Sequence, residues 1–315
     1  MWTPARSANS FNLQEEAMQG LTDLLTSTSK TLAVSISLLP LPLRTEVSVA
    51  YLLLTVADIL EQASLWSARQ RVMALAKLDV LIATGDTAAA AWDCAEWADA
   101  MPYPDDADYA LLAELPRLLE AAGNLEPTAR ATIVRHVRRT VSGMVELRTR
   151  SGVPGEIELT GLEDLRHYCY IVAGIVCEML TELFVEQGHV PRSDAVALWK
   201  QSRAFGEGLQ LVNMLEDAED LQRKGRSLLP AGIDRARLFA LAHDDLDVAG
   251  AYVTTMMASG ASWGLAGFTM LPVRFARETL QGLAGIWPAA KLSRRDVVEQ
   301  RRHVTSGGMT VMMGR

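Results

Sequence analysis

The sequence predicts an all-α protein folded as a single domain, and three observations lead there. Apolar residues recur at helical spacing along most of the chain. No stretch alternates apolar and polar residues between hairpin-type turns. No internal repeat, low-complexity tract or composition shift marks a domain border. At 315 residues the chain is long enough to bury a large core as one large domain or two smaller ones. Residues 1–11 and 304–315 read as the loose ends of a domain spanning 1–315.

The elements follow in order. Glu15 to Leu25 and Thr31 to Leu39 have helical spacing and are joined by Ser27-Thr28-Ser29-Lys30-Thr31. A Ser/Thr-rich segment before an apolar run is an N-cap signal. It also brings hydroxyls and a lysine to a place where free N–H groups favour an anion; a plain cap accounts for the same residues. Leu39-Pro40-Leu41-Pro42-Leu43 breaks the chain before a long apolar helix from about Glu46 to Glu61. Stretches 66–80, 87–100 and 106–122 read as helices, separated at Gly85-Asp86 and at Pro102-Tyr103-Pro104. Pro127 opens a helix running to about Arg150, and Ser151–Gly161 is a loop. Leu162–Phe184 is apolar on nearly every face and belongs at the centre of a helical fold. Gly174 within it permits close packing or ligand approach. Helices at about 192–222, 232–241, 245–259, 262–284 and 293–303 complete the chain.

Two of these helices carry polar stripes. In the last long one, Gln210, Asn213, Asp217 and Asp220 share one face, while Leu209, Leu211, Val212, Met214 and Leu215 fill most of the rest. Upstream, Tyr51, Thr55, Asp58 and Gln62 share a face, with Glu61 beside them. A stripe of this kind fits a helix running out into solvent. Two of them on buried helices fit a cavity that holds Mg²⁺ through carboxylates and, through the cation, a diphosphate. Tyr51, Tyr168 and Tyr170 are candidates to line that cavity and face a cationic intermediate with their rings, or are core aromatics.

Composition narrows the class further. Hydrophobic residues make up 49% and charged ones 22%, ordinary for a globular protein, and the formal charge of −8 argues against nucleic acid as a partner. Basic clusters at Arg135–Arg139, Arg223–Arg226 and Arg294–Arg302 leave room for an anionic small ligand. Cys94, Cys169 and Cys177 make neither a disulfide framework nor a CxxC, so a reducing, cytoplasmic compartment is expected. The first residues lack the apolar core of a signal peptide. The uncharged run Val248–Val273 holds Gly, Ser, Thr and Pro, which favours buried helices and a turn over a membrane span. A soluble protein in peripheral contact with a bilayer is the expectation.

Several segments, taken in order, resemble the squalene/phytoene synthase family of head-to-head isoprenyl transferases. Ser29-Lys30-Thr31 is similar to its Ser-(Arg/Lys)-(Thr/Ser) segment, and Tyr51 through Asp58 to Glu61-Gln62 to its first aspartate-rich helix. Tyr168-Cys169-Tyr170-Ile171-Val172-Ala173-Gly174 resembles its central signature, with Gly143-Met144 where the family has Gly-Met. Phe205-Gly206 through Gln210 and Asn213 to Asp217, then Gly225-Arg226 and Pro230, resembles the second aspartate-rich helix. Pro272, Thr279-Leu280 and Lys291-Leu292-Ser293-Arg294 resemble the C-terminal helices.

The resemblance implies an isoprenoid-synthase helical fold around a central cavity. It also implies Mg²⁺-dependent joining of two prenyl diphosphates, commonly farnesyl diphosphate, through a cyclopropylcarbinyl diphosphate. On this reading Asp58, Glu61, Asn213, Asp217 and Asp220 serve the metals, and Ser29, Lys30, Gln210 and Arg226 the diphosphate. Tyr51, Tyr168 and Tyr170 serve the reacting chains. A hydride from NADPH or loss of a proton would end the reaction; no Gly-rich dinucleotide fingerprint points to NADPH. The chain departs from the family at Gln62 and Leu221, where an Asp is usual, and at Thr55, Glu216, Leu32 and Ile171. A terpene cyclase or other prenyltransferase on the same scaffold, or a non-catalytic binding or assembly relative, accommodates those departures too.

Overall fold

The computed structural model describes residues 19–63, 65–101, 106–150, 157–223, 229–230 and 232–284, without the side chains of 30, 31, 106–109, 219–223 and 284. Every regular element among them is helical. The helices are α1 (19–28), α2 (Lys30–Ile36), α3 (Leu43–Gln62), α4 (Ala68–Thr84), α5 (Thr87–Ala100), α6 (Asp106–Ala113) and α7 (Leu115–Gly123). There follow α8 (Pro127–Arg150), α9 (Leu162–Cys169), a π-helical turn (Tyr170–Gly174), α10 (Ile175–Glu186), α11 (Ala195–Arg223), α12 (Arg235–Ala258) and α13 (Trp263–Ala284). The loose ends and the helix expected at 293–303 lie outside the described residues.

Local chemistry sets the boundaries. Ser67 and Gln70 close a reciprocal capping box at the start of α4. Gly85 ends α4 in the left-handed region at φ 69°, and Asp86 then caps α5 by accepting from the N–H groups of Ala88 and Ala89. The stretch expected as one helix over 106–122 is two, because Pro116 sits at the start of α7 and cannot donate a helical hydrogen bond. Conversely, the helices expected at 232–241 and 245–259 are one, α12, capped by Asp234 and with no breaker inside it. The uncharged run Val248–Val273 is divided between α12 and α13 by a turn at Gly260, φ 82°.

The run α9–π turn–α10 lies at the centre of the architecture. It packs against α8 on one side and α11 on the other; α3 and α4 cover α8, while α12 and α13 cover α11. This segment, Leu162–Glu186, is the one described helical run long and apolar enough to cross a bilayer by length and composition. Here its apolar faces are taken up by neighbouring helices. Phe184 on α10 is fully buried and meets Phe268 of α13 edge-on at 6.3 Å. One apolar cluster extends from Leu21 to Leu280.

Two glycines allow the central packing. A side chain on Gly206 of α11 would place its Cβ 2.4 Å from the Ala173 carbonyl oxygen of the π turn. On Gly143 of α8 it would lie 2.6 Å from Ile171. Polar contacts also join α8 and α10. Arg135 and His136 meet Glu182, and Arg139 donates to Glu178 at 3.0 Å. The Arg135–Arg139 cluster, read from sequence as room for an anionic ligand, is therefore engaged within the fold. Burial also holds His136 below its ordinary pKa.

Candidate active site

The last turns of α3 and the middle of α11 form walls of one cavity of about 700 Å³. Asp58, Glu61 and Gln62 line it from α3, and Gln210, Asn213, Glu216 and Asp217 from α11. Both stripes share it because each combines steps of three and four residues, which keep side chains on one helical face. Apolar groups make up most of the rest: Met144 and Leu147 from α8, Val172 from the π turn, Leu209 and Val212 from α11, and Phe275 and Ala276 from α13. Pro272, in the interior of α13, also lines the cavity.

The acids differ in state. Asp58 is half-buried, and no described residue offers it a hydrogen bond or an ion pair. Burial and then the neighbouring Glu61 charge push its carboxyl up to about 7. Glu61 is paired: Nε of Arg148 donates to Oε1 at 2.7 Å, and Nη2 donates to the Glu61 main-chain oxygen at 3.1 Å. Asn213 and Asp217 are open to the solvent of the cavity. Among the described residues, then, nothing stabilises the ionised form of Asp58, which is what a cation would do.

A hard cation fits this donor set. Carboxylate and amide oxygens suit Mg²⁺, which takes one or two carboxylates and completes its octahedron with water and phosphate oxygens. Among the described residues no three His, Cys, Asp or Glu side chains converge as a ready-made metal group, so phosphate oxygens would have to complete the coordination.

The other sequence-chosen residues are placed unequally. Ser29 lines the cavity and also caps α2, accepting from the Leu32 N–H at 3.3 Å, so the plain-cap reading and the cavity reading hold together. Tyr168 lines the cavity, and its hydroxyl is pushed far above the ordinary tyrosine value by burial and by Glu61 and Asp58. Tyr51 is half-buried against the core and is not a lining residue. Tyr170 is a correction. Two residues on from Tyr168, it points about 200° away around the helix. Arg203 stacks over its ring at 4.5 Å, and its hydroxyl accepts from Arg139 at 2.8 Å and donates to Glu178 at 3.2 Å. Arg226 and the side chains of Lys30, Asp220 and Leu221 lie outside what is described.

Sequence reading missed Arg148. It shares a helical face with Met144 and Leu147, at steps of three and one, so extending the Gly143-Met144 segment by one turn would have found it. Among the many arginines of α8 its position alone does not stand out.

Comparisons with known proteins bear on the family and the fold. A squalene synthase of Cyberlindnera jadinii is 29% identical over 213 residues, 67% of this chain and 45% of that protein. A squalene synthase of Candida albicans is 26% identical over the same shares. The chain therefore spans less than half the length of these curated relatives. In fold, the structure of TcSQS with the ligand BPH1237 matches with a TM-score of 0.73 at 20% identity, over 92% of this chain and 86% of that one. A dehydrosqualene synthase in complex with a ligand matches with 0.54 at 17% identity, over 95% and 99%. The family model for squalene/phytoene synthase matches residues 25–258, well over half of the sequence, and the chain belongs to that family.

Proposed function

We propose that this chain joins two prenyl diphosphates head-to-head in a Mg²⁺-dependent reaction, through a cyclopropylcarbinyl diphosphate, to a squalene- or phytoene-like hydrocarbon. Farnesyl diphosphate is the proposed substrate. One observation carries the reading: an acidic stripe from α3 and an amide–acid stripe from α11 line one cavity whose other walls are largely apolar. The polar groups suit a diphosphate and its counter-ions, and the aliphatic ones suit isoprenoid tails.

Bound Mg²⁺ would neutralise the diphosphate and make it a better leaving group. Asp58 and Glu61 on one wall, and Asn213 and Asp217 on the other, are its proposed ligands. Asp58, raised to about 7 by burial and then by the Glu61 charge, would be held in its ionised form by a bound cation. Gln210 and Ser29 orient diphosphate oxygens. Val172, Leu209, Val212 and Phe275 hold the chains and keep water from the carbocation. The Tyr168 ring faces that positive charge, and its hydroxyl stays protonated throughout the working range. The proposed product is a hydrocarbon, whose chemistry favours release into a neighbouring bilayer; a cytoplasmic, membrane-peripheral location is part of the proposal.

The test is diphosphate release from farnesyl and geranylgeranyl diphosphate, with and without Mg²⁺, together with product mass. A joined product of twice the substrate's carbon number supports the proposal. Turnover without joining assigns single-substrate ionisation, as in a terpene cyclase. No Mg²⁺-dependent release at all overturns it in favour of a binding or assembly role.

A further inference from the structure

The Arg148–Glu61 contact is not a surface ion pair. The Arg148 side chain is 8% exposed and that of Glu61 13%. Nε and Nη2 both engage the same oxygen, Oε1, and Nη2 also binds the Glu61 main-chain oxygen. That carbonyl lies in the last turn of α3, where helical carbonyls have no partner within the helix and a cation is favoured. Arg148 therefore fastens the end of α3 and the Glu61 side chain with one group.

The guanidinium carries a full positive charge. It cancels one of the two negative charges that Asp58 and Glu61 bring to this wall, and neutral Gln62 adds none. Because both N–H contacts fall on Oε1, only Oε2 of Glu61 is left for a further ligand. We infer that Arg148 is a positioning residue that limits the α3 wall to a single net negative charge and offers one Glu61 oxygen, so that Arg148 itself sets how tightly the wall binds a divalent cation. The inference rests on the metal-diphosphate reading of the cavity.

The test uses Mn²⁺ alone as the probe, titrated into the full metal-free chain, with free Mn²⁺ read by electron paramagnetic resonance. Affinity should follow wall charge. Glu61→Gln should bind weakest, the parent and Arg148→Lys alike, and Arg148→Met tightest, with steps of roughly tenfold for one partly screened charge. The double variant Glu61→Gln/Arg148→Met restores the parent's net charge and should restore its affinity. If Arg148→Met alone does not fold, the double variant keeps the inference testable, because it removes both members of the pair together. A double variant as weak as Glu61→Gln, or a folded Arg148→Met no tighter than the parent, overturns the inference. Asp58→Asn separates this from failure of the underlying reading: if the parent and Asp58→Asn bind Mn²⁺ equally, the metal assignment falls and the inference with it.

Discussion

Asp58→Asn is expected to stabilise the metal-free protein while removing its proposed metal chemistry. Burial and the Glu61 charge raise the Asp58 pKa from 3.8 to about 7. The folded state thus holds this proton more tightly than the unfolded chain does. The parent loses stability as pH rises from about 4 to about 7, and the loss is complete above that. At about 1.4 kcal/mol per pKa unit the ceiling is about 4 kcal/mol, and water in the cavity lowers it to roughly 2 kcal/mol. Asn cannot ionise, so the variant escapes the cost. Glu46, also raised to about 7 by burial, contributes equally to both chains and cancels in the comparison. Urea unfolding of both chains in chelator across this range is the assay. The variant should be more stable at pH 8 by roughly 2–4 kcal/mol, and the gap should close towards pH 4. Mg²⁺ with pyrophosphate should then stabilise the parent and leave the variant unmoved. Parallel pH profiles, or a variant less stable at pH 8, would refute the account of Asp58 as an unpartnered acid.

Three further outcomes follow from the geometry. Asp217→Ala removes a carboxylate from the α11 wall and should lower Mg²⁺-dependent diphosphate release by about 100-fold or more; an unchanged rate would mean the metal assignment is wrong. Tyr170→Phe should leave that rate unchanged, since the ring lies under Arg203 and its hydroxyl serves Arg139 and Glu178 outside the cavity. A large fall in rate would return Tyr170 to the reacting groups. Gly206→Val sets a side chain against the Ala173 backbone, which cannot rotate away, and should cost at least about 1–3 kcal/mol in urea unfolding.

Much of this was legible in the sequence because it depends on periodicity. The two polar stripes repeat at steps of three and four, and such a pattern fixes which residues share a helical face before any fold is known. Helix breaks such as the one at Gly85-Asp86 were legible too, because they rest on local residue types. What the sequence concealed was tertiary. Nothing local says that Arg148 reaches Glu61 across 87 positions, or that α12 runs on where an interruption was expected. Tyr170 was misplaced because a central signature was read as a block, whereas neighbours on a helix look in different directions. The helix expected over 106–122 ran through Pro116, whose missing N–H divides it in two.

The π turn at Tyr170–Gly174 carries a consequence of phase. A wider turn amounts to one residue added to an α-helix and absorbed without rotating what lies beyond it. In an ordinary helix, deleting one residue swings the downstream part by about 100° and shortens it by about 1.5 Å. Deleting one here would instead restore regular winding and leave Glu178, Glu182 and Phe184 facing their partners. Among the described residues, the middle of the central helix is therefore a place where this fold can lose a residue and remain in register. Because Val172 lines the cavity from within that turn, such a change would reshape the substrate wall while sparing the scaffold.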